Sequence, residues 1–305
     1  KAVELSGKAT ECERLQILGS SYIRKHDLAK AASTLEELLE KYPREAIGYS
    51  SLAGIYASRL EFEKQADVYR RGLKVDPSFR WCWNDLAYTC ADLNQRQNAF
   101  DAVDHYLNLA PTEVNPYDSK GDIFAQFGEY DSSRIWYAKS YAFGTNGSHR
   151  KLGFDAILRQ DYKAADSYFL KGETFEALIP IHRGRLEDAR KLLTDLLSIH
   201  KSKNNSLSVI RDYVILEHLA YEAGDYHAMV RLAREFSSEV KKNPDDIIVG
   251  RDYLAWALSK SSNPSSAQSM LADLKRDVDP ELPELLVSFD YVTGLTAFEE
   301  AKYEV

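Results

Sequence analysis

The chain has 305 residues, enough to bury a substantial core and, on length alone, enough for two ordinary domains. Hydrophobic residues make up 44% and charged residues 28%, a soluble globular profile in which no apolar run approaches the roughly 18 residues of a membrane span. A net charge of −8 argues against non-specific binding to nucleic acid or to an anionic membrane.

The N-terminal stretch KAVELSGKAT lacks the basic, apolar and small-residue blocks of a secretory signal, and it has no initiating methionine. The chain therefore reads as a segment of a longer protein. Cys82 and Cys90 are eight residues apart on one expected helix, about 12 Å of rise and too far for a disulfide. With Cys12 distant in sequence, all three read as free thiols and favour a reducing, cytoplasmic setting. The alternative is an extracytoplasmic domain of a membrane-anchored regulator.

Along the chain a period emerges. LEKYP, LKVDP and LNLAP end at Pro43, Pro77 and Pro111, each 34 residues after the last. Leu15, Leu18, Gly19 and Tyr22 open a first unit; Tyr49, Leu52, Ala53 and Tyr56 open a second; Trp83, Leu86, Ala87 and Cys90 open a third. On a helix Trp83, Leu86 and Ala87 share one face, which makes Trp83 a core residue, while Trp81 points elsewhere. The second half of each unit pairs a small residue with a large one, as in Ala31 with Leu35 and Ala99 with Val103. Gly and Ala fit points of close helix contact, and the proline ends the second helix.

A fourth unit holds Tyr117, Gly121, Phe124, Tyr130 and Tyr137, with Gly128 at its turn, Lys120 in place of leucine and no closing proline. Tyr130, Tyr137 and Tyr141 read as core. A fifth holds Leu152, Gly153, Tyr162, Ala165 and Phe169. Register then slips. The second-helix pattern returns at Leu186, Ala189 and Leu193 after only 24 residues, leaving a short helix near 173–182 with Pro180. KSKNNS (201–206) reads as a polar loop, and Tyr213, Leu216, Ala220, Gly224 and Tyr226 restore a unit. A divergent pair over 247–274 and a helix from Pro283 onward, capping the stack or beginning a further unit, complete the chain.

This pattern resembles the tetratricopeptide repeat, a 34-residue unit of aromatic, Leu-Gly, Tyr, Ala, Phe and Pro positions. The resemblance implies an all-α fold, a right-handed superhelical solenoid of antiparallel helix pairs in one continuous stack over residues 1–305. Regular repeats are expected over about 12–172 and divergent ones over about 173–305, with a kink near 172–210. In such repeats the first helix of each pair lines a concave groove. Unit by unit, that face would present Gln16 and Ser20, then Ser50 and Gly54, then Trp81, Asn84, Tyr88 and Asp92. Asn115, Asp118 and Asp122 follow, and then Arg150 and Phe154. The three aspartates make its middle acidic, which suits a protein or peptide carrying Lys or Arg, or an extended peptide hydrogen-bonded by Asn84. The competing reading of these acids is a solvated helix surface. The basic clamp that holds chaperone C-terminal carboxylates is not expected, because its positions carry Gln16, Ser20, Ser51, Trp81 and Asp85.

The opening segment, with Glu13, Arg14 and Tyr22, is also similar to repeat arrays attached to bacterial signalling proteins such as kinases and winged-helix regulators. Phosphate-binding loops, nucleophile elbows and paired CxxC or HExxH metal motifs are missing, and the seven histidines read as surface residues. The expectation is a non-catalytic protein-protein interaction scaffold without cofactor or metal, part of a larger regulatory protein. The alternatives are a sensor for a small molecule or signal peptide and, third, a helical enzyme.

Overall fold

The computed structural model describes residues 9–144 and 147–239, together with residues 254, 256, 257, 260, 266, 269 and 272. Among them every regular element is helical. The chain divides into two compact units, Lys1–Leu152 and Gly153–Val305.

In the first unit α1 (Glu11–Arg24) pairs with α2 (Leu28–Lys41), and α3 (Ala46–Ser58) with α4 (Phe62–Val75). Then α5 (Arg80–Asp92) pairs with α6 (Arg96–Leu109), and α7 (Asn115–Gln126) with α8 (Tyr130–Tyr141). Helix α9 (Ser148–Leu158) carries the division between the units. The short turns make each pair antiparallel. Each turn leaves three residues between helices, and the middle one is left-handed: His26, Leu60, Asn94 and Gly128 have φ of 56°, 57°, 55° and 76°. The next amide reaches back five residues, as in Asp27 to the Tyr22 carbonyl at 3.0 Å and Glu61 to the Tyr56 carbonyl at 2.9 Å, closing the helix end.

The pairs are held by a small residue on the first helix facing a large one sixteen positions later on the second: Gly19 and Leu35, Ala53 and Tyr69, Ala87 and Val103, Gly121 and Tyr137. All eight are buried. A Cβ at Gly121 would lie 2.5 Å from the Tyr137 ring, and one at Gly19 would lie 2.9 Å from Leu35 Cδ2, so nothing larger fits without displacement. Between repeats a second device recurs. Tyr49 Oη donates to the Pro43 carbonyl at 2.9 Å, Trp83 Nε1 to Pro77 at 2.8 Å and Tyr117 Oη to Pro111 at 2.8 Å. The aromatic that opens each repeat thus latches the loop that closes the previous one. Tyr49 makes this bond while fully buried, whereas Trp83 stacks on the exposed His105 with centroids 4.3 Å apart and is half-buried rather than in the core as the sequence suggested.

In the second unit α10 (Tyr162–Tyr168) follows α9. A 3-10 turn (Thr174–Ala177) and α11 (Leu178–His182) precede α12 (Leu186–Ser202), α13 (Ser206–Glu222) and α14 (Tyr226–Glu239). The three-residue turn returns with Gln160, Gly184, Asn204 and Gly224 left-handed. The small-to-large pairing also returns as Gly153 with Phe169 and Ala177 with Leu193. The register slip is filled by a buried polar cluster. Asp212 accepts from Thr174 Oγ1 at 2.6 Å and meets His200 Nδ1 at 2.6 Å, while His200 Nε2 donates to the Gly172 carbonyl at 3.0 Å. Burial raises the Asp212 pKa, and the hydrogen bonds from Thr174 and His200 oppose the rise.

Glu217 and Ala233 form the last of these sixteen-residue pairs with the sizes reversed. Glu217 is 0% exposed, neither carboxylate oxygen has a hydrogen-bond partner among the described residues, and burial pushes its pKa up to about 8.

Several expectations need correction. KSKNNS is a loop only over residues 203–205: α12 runs through Ser202 and α13 begins at Ser206, where Asn205 caps it by accepting from the Ser208 amide. Tyr137 is core, but Tyr130 is 66% exposed at the first position of α8, and Tyr141 is half-buried. His149 and His200 are buried rather than on the surface. The three cysteines are free, and burial pushes the Cys82 thiol up to about 12. The divergent pair over 247–274 lies outside the described residues except at single positions, and the helix from Pro283 lies wholly outside them.

Two outcomes follow from this packing. Leu60→Gly, at an exposed left-handed position, should stabilise the protein by about 1 kcal/mol and raise the melting temperature. Glu217→Met addresses pH. The folded pKa of about 8 exceeds the ordinary 4.5, so the folded state holds the proton more tightly and stability falls as pH rises from 4.5 to 8. The penalty is on the order of 3 kcal/mol at pH 7. Melting temperatures at acid and alkaline pH should show the variant gaining most at alkaline pH; an equal gain at both would assign the effect to packing alone.

Candidate functional site

The first-helix row of the first unit contains the residues singled out from sequence, and the structure separates them into two groups. One group is cross-linked. Tyr88 Oη on α5 and Tyr137 Oη on α8 donate to the two oxygens of Asp122 on α7, at 2.8 and 2.7 Å. Lys151 on α9 reaches Asp122 Oδ1 at 2.5 Å and Asp118 Oδ2 at 2.7 Å, with its Nζ 5.0 Å from the Tyr137 ring centroid. Ser148 donates to the other Asp118 oxygen, and its Oγ lies 2.8 Å from Ser140 Oγ. Ser119 donates to Asn84 Oδ1 at 2.7 Å, and Asn84 Nδ2 donates to Asp85 at 3.1 Å. Gln126 donates to Asp92 at 2.8 Å.

Most of these bonds join residues 29 to 35 positions apart, about one repeat, because side chains facing along the stack recur with its period. Burial raises the pKa of Tyr88 and Tyr137, with the neighbouring Asp122 charge adding to it, so both remain phenols that donate. Burial likewise raises Asp85, against hydrogen bonds from Asn84 and Tyr69. Asp118 and Asp122, expected from sequence to draw a basic ligand, therefore share the chain's own Lys151, which leaves one net negative charge among the three.

The second group is open. Ser50 and Gly54 on α3 are exposed, and a Cβ at Gly54 would meet nothing within 4 Å. Ile47, one helical turn before Ser50, is 56% exposed. Trp81 stands one 34-residue period after Ile47, half-exposed, stacked on Phe79 at 6.2 Å and edge-on to Tyr69 at 6.4 Å. Asn115 is exposed and donates to Tyr106 Oη at 3.1 Å, and Arg150 is half-buried on α9. Sequence reasoning missed Ile47 and Lys151, although the period places Ile47 level with Trp81.

A separate groove of about 640 Å3 lies in the second unit among α12, α13 and α14, floored by Leu216, Leu219 and Leu232 and edged by Arg190, Lys191 and Asp195. None of the sequence-chosen residues lines it. Among the described residues no cluster of His, Cys, Asp or Glu could hold a metal, and no helix is long and apolar enough to cross a membrane.

Removing Lys151 tests the cross-link. Lys151→Met leaves two partly buried carboxylates without their cation and should lower stability by about 1–3 kcal/mol in thermal melts. Adding Asp122→Asn should recover part of the loss; no recovery would mean that Lys151 acts through its aliphatic stem.

Residues 18–78 match the tetratricopeptide repeat family model. Yeast Tom70 superimposes with a TM-score of 0.58 at 15% identity, over 99% of this chain and 59% of its own, so the chain spans somewhat over half of that protein. A tetratricopeptide repeat protein from Parabacteroides merdae aligns over 94% of this chain and 98% of its own at 13% identity, with a TM-score of 0.48. MamA from Desulfovibrio magneticus aligns over 52% and 90% at 15% identity, with a TM-score of 0.44. No curated protein sequence matches the chain.

Proposed function

From an array of tetratricopeptide repeats, we propose that the protein is a non-catalytic scaffold that docks a peptide segment of a partner protein on the first-helix face of its first unit. The observation that carries this reading is the exposure of Ile47, Ser50 and Gly54 along one face of α3, with half-exposed Trp81 one period on, in a row whose other side chains are fixed by hydrogen bonds. Exposed aliphatic and indole surface gives a ligand apolar area to cover, and Gly54 puts no side chain in its way. Asn84, Tyr88 and Asp122 are positioned by their own bonds, so a ligand meets them with little ordering cost. Because Lys151 offsets Asp118 and Asp122, an apolar anchor rather than a run of Lys or Arg dominates recognition here.

The test is a blocking substitution that leaves the fold intact. Gly54→Arg places a long charged side chain on this face, its Cβ meets no neighbour, and it replaces glycine with a better helix former. Peptides selected from a display library on the intact protein should lose at least about tenfold in affinity for this variant, with an unchanged melting temperature. Peptides that bind both forms equally would place recognition on another face.

A further inference from the structure

In the second unit the first-helix register changes chemistry. Phe154 stands where the preceding repeat has Asp122, and Leu158 where it has Gln126, each 32 residues on. Phe154 is 39% exposed and Leu158 is 78% exposed. Phe154 meets Phe169 and Phe175 edge-on, with centroids 5.8 and 5.5 Å apart, and Leu170, next in sequence to Phe169, is also exposed. Over Phe175 lies the guanidinium of Arg211 from α13, 5.4 Å from the ring centroid. Arg211, like Arg183 over the Tyr162 ring, has no carboxylate partner among the described residues. Its neighbour Asp212 is turned inward and satisfied by Thr174 and His200.

We propose that this surface binds an acidic peptide segment bearing a bulky apolar side chain. The apolar group would cover Phe154 and Leu158, and an adjacent Asp or Glu would pair with Arg211. Charge complementarity selects the occupant. An arginine laid on an aromatic ring keeps its in-plane N–H donors free, in the fork that matches a carboxylate. Exposed phenylalanine and leucine beside such a cation favour a ligand that supplies both an apolar cover and a negative charge. The inference extends the scaffold reading to a second ligand chemistry on the second unit.

The experiment selects peptides from a random display library on the intact protein and sorts them by counter-binding to Arg211→Met, Phe154→Ala and Gly54→Arg. Clones sensitive to Arg211→Met should be enriched in Asp or Glu next to Phe, Leu or Trp. They should lose about tenfold in affinity with either unit-two variant, weaken further in high salt and ignore Gly54→Arg. Clones that require Arg211 yet lack acidic residues, or no clone sensitive to Arg211→Met in a protein with unchanged helical melting, would overturn the proposal. Loss of binding with Gly54→Arg alone would bear on the first-unit reading and not on this one. Concentration-dependent dimers in sedimentation, abolished by Phe154→Asp, would put a second copy of the chain on this surface and also overturn it.

Discussion

The constraint on which the rest depends is the contact between a small residue on the first helix of a pair and a large residue sixteen positions later. Seven pairs obey the spacing, from Gly19 and Leu35 to Glu217 and Ala233. The distance between successive first-helix positions of these pairs, by contrast, goes from 34 to 32, 24 and then 40. The hairpin is therefore the conserved unit and the linkage between hairpins is adjustable. Steric reasoning explains why: two helices that approach through Gly or Ala leave one gap, and one large side chain fills it. Glu217 with Ala233 keeps the large-and-small sum while exchanging which helix supplies each part. The exchange buries a carboxyl group that no hydrogen bond satisfies among the described residues.

Contacts between hairpins follow the linkage. Where the spacing is 34, side chains at the same register meet, so Tyr88 reaches Asp122 and Gln126 reaches Asp92. The proline latch likewise repeats three times and then stops with the last regular proline. Once the spacing falls to 24, a first helix is reduced to the 3-10 turn and the five residues of α11, and no ladder position is available. Its cohesion comes instead from the buried Thr174, Asp212 and His200 cluster, which ties the Gly172 carbonyl to α12 and α13.

The helical pairing was legible in the sequence because its positions tolerate few residue types: Gly19, Ala53, Ala87, Gly121 and the three prolines announce themselves by size and period. Polar geometry was not. Trp83 reads as core from its spacing with Leu86 and Ala87, but its ring stacks on the exposed His105 and stays half-buried. Asp118 and Asp122 read as an open acidic face because Lys151 lies on another helix, and no local pattern couples a lysine to carboxylates some thirty residues earlier. His200 looks like any surface histidine until Asp212 and the Gly172 carbonyl are brought to its two ring nitrogens. KSKNNS is polar enough for a loop, yet a helix end and an Asn cap need the same composition.

A side chain that fastens one repeat to the next is largely withdrawn from recognition, since its donors and acceptors are already satisfied. The ladder from Asn84 to Lys151 thus stiffens the first unit's face and mutes its charge, even though it contains the most chemically conspicuous residues. Positions at the same register without such a partner have the opposite character. In the first unit these are Ile47, Ser50 and Gly54, beside Trp81. In the second they are Phe154 and Leu158, near an Arg211 that no carboxylate claims among the described residues. Interfaces draw most of their energy from a few apolar or cationic anchors, with surrounding groups serving mainly to exclude water and fix orientation. A periodic protein can therefore place distinct anchors on successive repeats while leaving the hairpin contact unchanged, because the anchors lie on the helix face that the sixteen-residue pair does not use.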